Sequence, residues 1–179
     1  YSLPNISTFY ALTTDEQIEL LNHLFEPCPT LTSLLIPELS KYSKFNNYKE
    51  LIETVRSYLL SLLAAKDQSS SIDRINKIIS AHPRLGPQKT PNSKLSSHSS
   101  SEQKNLSSSP EDAKRLAEMN DLYEKTFPGL RYVVFVNGRS RDIIIENMIM
   151  RIKRNDIELE KIEAFNAMCD IALDRAAKL

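Results

Sequence analysis

The sequence predicts an all-α fold: one compact domain over residues 1–179, with about seven helices and a loop-borne site. Three observations predict it. Glycine supplies only 3 of the 179 residues, against roughly 7% in average usage, and that shortage disfavours a turn-rich β architecture. Apolar residues recur at spacings of three and four through most of the chain, the period of a helix with one buried face. A single run, Tyr132 to Val136, reads as a strand, and no second clear run exists to pair with it.

Thr13 or Thr14 caps a first helix over about 14–26, with Asp15 and Glu16 in its first turn, where the dipole favours acid. Ile18, Leu21 and Phe25 form its apolar face, and Pro27 and Pro29 end it. A short helix over about 30–39 carries Leu31, Leu34 and Leu35. The next, about 47–66, places Leu51, Val55, Tyr58 and Leu62 at spacings of 4, 3 and 4. Ile72, Ile75 and Ile79 mark a fourth helix. It stops at His82, because the Pro83 ring pushes the preceding residue out of the α region.

The Ser-rich stretch of about 89–109 interrupts this pattern; nine of the 17 residues from 93 to 109 are Ser, and no helical period survives. It reads as a long loop with little core content, and such loops are usually functional or disordered. Pro110 restarts the helix, followed by Glu111 and Asp112. Leu116, Met119, Tyr123 and Phe127 give that helix a face, and Pro128-Gly129 breaks it. Tyr132 to Val136, closed by Asn137-Gly138, reads as a buried extended segment or a helix edge. Two further helices, about 141–154 and 157–177, complete the chain. The second places Ile162, Phe165, Met168, Ala172 and Arg175 along one side.

Composition excludes several classes. Lys plus Arg and Asp plus Glu are both 23, so the formal charge is zero, which argues against nucleic acid or an anionic membrane as partner. No window approaches the 18 apolar residues of a membrane span, and the N-terminus lacks the pattern of a signal peptide. Three glycines cannot build a P-loop or a dinucleotide fingerprint. Cys28 and Cys169 make neither a disulfide framework nor a CxxC site, which fits a reduced compartment.

Three sets of residues are candidates for chemistry. His82 stands where a helix C-terminus meets a loop, and the dipole there favours imidazolium and would raise its pKa. It is either an acid/base or an ordinary C-terminal helix residue. Ser99-x-x-Glu102-Gln103 is either a capping box or part of a site, since little apolar periodicity follows it. Arg175 near the end of the last helix reads as a solvated cation or a ligand-binding one. Arg139, Arg141, Arg151, Lys153 and Arg154 read as solvated face charges. No GxSxG elbow is present. His23, His82 and His98 lack metal-ligand spacing, so no metal site is expected.

Taken in order, these residues carry a resemblance. Ala81-His82-Pro83-Arg84-Leu85-Gly86 and Ser99-x-x-Glu102-Gln103 resemble the His-Pro-x-Leu-Gly and Ser-x-x-Glu-Gln motifs of the 2-oxo-4-hydroxy-4-carboxy-5-ureidoimidazoline (OHCU) decarboxylases of urate breakdown, with the same 20-residue step from His82 to Glu102. Met119-Asn120-x-x-Tyr123, Phe127, Tyr132 to Val136 and Gly138-Arg139-Ser140 follow in the family's order, then Asn155, Glu160, Ala164 and Arg175. The likeness covers about residues 80–179 and is weaker before them. Phe127-Pro-Gly-Leu-Arg-Tyr132 and Pro87 depart from the family pattern.

The resemblance implies a cofactor-free, homodimeric enzyme that converts OHCU to (S)-allantoin and CO2. It implies His82 and Glu102 as catalytic residues. It also implies substrate contacts from Pro83, Ser99, Gln103, Val134, Phe135, Val136, Asn137, Gly138 and Arg175. The competing expectations are a non-catalytic helical interaction module and a metal-dependent hydrolase; the latter lacks ligand spacing. The ending Ala177-Lys178-Leu179 resembles a peroxisomal address; without it the expectation is cytoplasmic.

Overall fold

The computed structural model describes residues 1–65, 71–86, 96–103 and 109–179, and among them it has eight α-helices, one short 3-10 helix and no strand. The 3-10 helix, Ile6–Ala11, precedes α1 (Thr14–Leu24). Thr13 caps α1: its hydroxyl accepts from Glu16 N at 3.2 Å while the Glu16 carboxylate reaches back to Thr13 N. Then come α2 (Pro29–Leu39), with Pro29 at its first turn, and α3 (Tyr48–Ala64), capped by Asn47. α4 (Ile72–Ser80) is followed by α5 (Ser97–Glu102) and α6 (Pro110–Thr126), the last capped by Ser109. α7 (Arg141–Arg154) ends at Asn155 in the left-handed region, and α8 (Ile157–Lys178) closes the chain behind the Asp156 cap.

The core forms around α8, which packs chiefly on α3 and also on α1 and α4. α3 buries Leu51, Ile52, Val55 and Leu59; α8 buries Ala164, Phe165, Met168, Cys169 and Ala172. Burying such side chains contributes about 1.5–3 kcal/mol each. Arg56 of α3 crosses to Asp170 of α8 at 2.7 Å and clamps the pair at its edge. α6 pairs with α7, and α2 packs on α1 and α4.

The all-α fold is as expected, with two short elements, the 3-10 turn and α5, beyond the seven helices read from the apolar period. Three expectations are corrected. The Ser-rich stretch is not all loop: residues 97–102 are helical, capped by the Ser96 hydroxyl on Ser99 N at 3.1 Å, while 89–95 and 104–108 lie outside the described residues. Ile162 stays exposed, since the buried stripe of α8 runs through Lys161, Ala164, Phe165 and Met168 instead. Arg151 is not a solvated charge. It is buried, and it donates to Glu160 at 2.9 Å and to the Val133 carbonyl at 3.1 Å.

That last pair organises the far wall of the site. Glu160 is wholly buried, and accepts from Tyr123 Oη at 2.6 Å and Arg154 at 2.9 Å as well as from Arg151. A buried carboxylate is tolerable only with such partners. Arg151 stacks over the Tyr132 ring and holds the Val133 carbonyl, so the charge cluster fixes the extended run 131–136 in place. Tyr132 to Val136 is a buried extended segment without a strand partner, not a helix edge. It ends in two consecutive left-handed residues, Asn137 at φ 49° and Gly138 at φ 70°. The Arg139 side chain grips the carbonyls of Phe135 and Val136 to close the turn.

Candidate active site

His82 is placed by the end of α4. The helix stops at Ser80, His82 N makes a last turn-type bond to Ile79 O at 3.3 Å, and Pro83 prevents another turn. The following residues are tied down from α6. Arg84 donates to Glu124 at 2.6 Å and to Asp121 at 2.5 Å, and Asn120 donates to the Leu85 carbonyl at 2.9 Å. Arg131 holds the His82 carbonyl at 3.2 Å. The imidazole is therefore carried on a turn fixed at several points.

α5 brings Ser99, Glu102 and Gln103 to the same place. Gln103 accepts from Gly86 N at 2.9 Å and donates to Arg84 O at 3.3 Å. Its amide thus joins the two sequence motifs to each other. Glu102 and Arg175 meet fork to fork, Nε and Nη2 of Arg175 each 2.8 Å from a Glu102 oxygen, the strongest geometry for such a pair. Ser99 is a helix-interior residue rather than a cap; its hydroxyl donates to Glu26. The capping-box reading of Ser99 and Glu102 therefore fails: Ser96 is the cap, and Glu102 answers Arg175. Two of the expected site residues thus sit on a helix, not on a loop.

Arg175 is 4% exposed and ion-paired, not solvated. Besides Glu102 it donates to Glu26 at 2.9 Å and to the His23 carbonyl at 3.4 Å. Burial alone would lower its pKa, but the Glu102 and Glu26 carboxylates raise it above the ordinary value. For Glu26, burial acts to raise the pKa. The Ser99 hydroxyl and the Arg175 guanidinium outweigh it and hold the carboxyl below the usual range.

His82 departs from expectation in one respect. Burial removes the imidazole from water, and with Arg175 nearby it lowers the pKa to about 4, although Glu26 and the Ile78 carbonyl pull the other way. The helix dipole does not win against that desolvation. His82 is a neutral imidazole at pH 7, and its Nδ1 is buried without a hydrogen-bond partner among the described residues.

These groups surround a cavity of about 230 Å³. His82 and Pro83 line it from the turn after α4, and Ser99, Glu102 and Gln103 from α5 and its end. Val134, Phe135, Val136, Asn137 and Gly138 form the extended wall, and Arg175 stands at the α8 side. Every residue expected at the site is therefore brought to one cavity. Among the described residues, no hydrogen bond of the chain uses the N–H groups of Val134, Phe135 or Val136. Successive amides of an extended segment point to opposite sides, and Val134, Phe135 and Asn137 also line a second hollow with Arg139 and Asn147, so part of this row is left to donate to whatever fills the cavity.

Sequence reasoning missed Glu26, Tyr132, Leu85, Ser101 and the α8 residues Ile171, Asp174 and Lys178. All but Glu26 line the cavity. Ile171 and Lys178 stand four before and three after Arg175, so helical spacing from that residue marked them. For Glu26 the signal was weaker: an acid among Phe25, Pro27 and Cys28 at the end of an apolar helix. No cluster of three or more His, Cys, Asp or Glu side chains suited to a metal exists among the described residues. No described helix is long and apolar enough to cross a membrane.

An all-helical domain with one imidazole, a carboxylate–guanidinium fork and a row of free amides around a small cavity has the make-up of an enzyme for a small polar molecule. The family is shown directly: the model of the OHCU decarboxylases matches residues 10–177, and the chain belongs to that family, which acts in urate degradation. A comparison with curated proteins found no match.

Proposed function

We propose that the chain decarboxylates OHCU to (S)-allantoin and CO2 without a cofactor. The observation that carries the reading is the convergence of neutral His82, the Glu102–Arg175 fork and the extended wall of 134–136, whose amides the chain leaves unused, on one cavity. The scissile bond joins the carboxylate to the carbon that bears the hydroxyl. As CO2 leaves, the bond's electron pair moves toward the adjacent C=N of the ring, so the substrate supplies its own electron sink. The hydroxyl-bearing carbon becomes the carbonyl of allantoin and its proton leaves; one proton is added to the neighbouring carbon from a single face, and one more, drawn from solvent, to the ring nitrogen that received the electron pair.

A neutral imidazole suits that transfer, because one nitrogen can accept the hydroxyl proton and the ring can return it. Glu102, held by Arg175, orients the hydroxyl. The amides of Val134 to Val136 take the urea oxygens, and Asn137, Gly138 and Pro83 complete the wall. Gln103 acts through the loop, since its amide is engaged by Gly86 and Arg84. Generating the unstable substrate from urate with the two preceding activities tests the reading. Circular dichroism should show (S)-allantoin forming faster than it does spontaneously. Formation at the spontaneous rate would refute it.

The working form we propose is a homodimer, supported by the exposed apolar side chains Leu122 of α6 and Ile143 and Met150 of α7. Sedimentation at micromolar concentration tests it, and a monomer there refutes it. Peroxisomal residence is proposed on the ending Ala177-Lys178-Leu179.

A further inference from the structure

We infer that Glu26 is a positioning residue of this site: it accepts the hydroxyl hydrogen bond of Ser99 and shares Arg175 with Glu102, so that Ser99 is left to the cavity as a hydrogen-bond acceptor. A serine has one O–H to give. Here it goes to Glu26, which also accepts from the Ser96 hydroxyl at 3.1 Å and from Arg175 at 2.9 Å. Glu26 does not line the cavity, is 5% exposed, and stands at the end of α1, away from the motifs. A carboxylate is costly in such a place unless its partners need it. What it gains is a fixed polarity: Ser99 lines the cavity, and its Oγ, which accepts from Arg175 Nη2 at 3.5 Å, has no hydrogen left to donate and one lone pair still to offer.

The consequence is a selection rule for the ligand. Among 134–136 the cavity meets unused N–H donors, and at Ser99 it meets a group with only acceptor capacity left. A molecule that carries carbonyl oxygens at one edge and an N–H at the other satisfies both, which is the pattern of a urea. The charged and titratable groups around Glu26 are Arg175 of α8, His82 after α4, Glu102 and His98 of α5 and His23 of α1. Glu26 is thus one of two carboxylates that flank the single guanidinium.

The inference deepens the proposed function, so its test has one arm that needs no substrate. The kinetic arm is a double-mutant cycle of Glu26→Gln and Ser99→Ala. A lost hydrogen bond to a charged group is worth about 10–100-fold, so E26Q should lower kcat/KM by about that factor. The factor should shrink to a few-fold in the S99A background, because the two residues act as one. Wild-type kinetics for E26Q, an equal penalty in both backgrounds, or an S99A variant with wild-type kcat/KM would each overturn the proposal. Should E26Q fail to fold, Glu26→Asp goes through the same cycle under the same criteria, and S99A alone remains decisive. The second arm follows the His82 ring proton by NMR from pH 7 to 4. The resonance should begin to move in wild type and stay at its neutral position in E26Q. Identical titrations would overturn the role of Glu26 even if wild type shows no decarboxylation, an outcome that by itself would refute only the proposed function.

Discussion

Replacing His82 by asparagine should do two things at once: remove activity and make the fold less sensitive to acid. The second effect follows from linkage. The imidazole titrates near 6.5 in an unfolded chain and near 4 in the folded one. The unfolded state therefore binds the extra proton first, and stability falls as pH drops from about 6.5 through about 4. With those two values the His82 contribution lost between pH 7 and pH 5 is about 2 kcal/mol. For a chain of this size that is about 4–8 °C in melting temperature. Glu26, His23 and His98, whose pKa values are also lowered, add acid sensitivity of the same sign. They are present in both proteins, so the difference between wild type and H82N reports the buried ring together with its interaction with Glu26. Calorimetry at pH 7 and pH 5 measures it: wild type should lose those few degrees more than H82N does. The same preparation should lose about 10²–10⁴-fold in turnover if His82 moves the proton. Equal pH sensitivity in the two proteins would refute the neutral buried imidazole, and a folded H82N with near wild-type turnover would refute its role.

Other substitutions separate structure from chemistry. Glu102→Gln keeps the shape but breaks the charged fork with Arg175; turnover should fall at least 10-fold, and unchanged kinetics would leave Glu102 without a role. Arg175→Lys keeps the charge and loses the bidentate geometry; since the fork is buried and already engaged by Glu102 and Glu26, stability should drop by about 1–3 kcal/mol along with activity, and an unchanged melting temperature would show that the fork is dispensable. Gly129→Ala forces a side chain onto φ 90° and within 2.8 Å of Asn76 Nδ2; it should cost about 1–3 kcal/mol, checked by urea unfolding, and a neutral result would refute the strain. A fluorescent protein fused ahead of residue 1 should give punctate peroxisomal signal that disperses when the last three residues are deleted; diffuse wild-type signal would defeat the address.

The helices with ordinary packing were legible because their signals are local. The Thr13–Glu16 box, Pro110 behind Ser109 and the isoleucine spacing of α4 each mark an element within a few residues. α5 was not legible, since it contains no apolar residue and its single buried side chain is Ser99. Its reasons for being helical are Glu26 and Arg175, 73 residues from Ser99 and Glu102 respectively. The same distance hides buried charges. Arg151 and Glu160 look like surface residues until the end of α7 and the start of α8 meet across the Asn155–Asp156 turn. His82, Glu102 and Arg175 were found through the order of motifs rather than through any physical property visible singly. The state of the His82 proton was misjudged, because burial depends on neighbours that the sequence does not place.

The way α5 is fastened has a thermodynamic signature. Its contacts are the Ser96 and Ser99 hydroxyls on Glu26, the Glu102–Arg175 fork, the Gln103 amide on the 84–86 turn, and a 3.0 Å bond between His98 and His23. Lifting this helix off would wet charges and imidazoles but almost no hydrocarbon. Such an opening has a small heat-capacity change and little dependence on urea, whereas opening of α3 or α8 has both. Salt and acid, which weaken ion pairs and break an imidazole–imidazole bond, should instead govern it. In native-state hydrogen exchange, the amides of 99–103 should respond to ionic strength and ignore denaturant, setting α5 apart as a cooperative unit of its own.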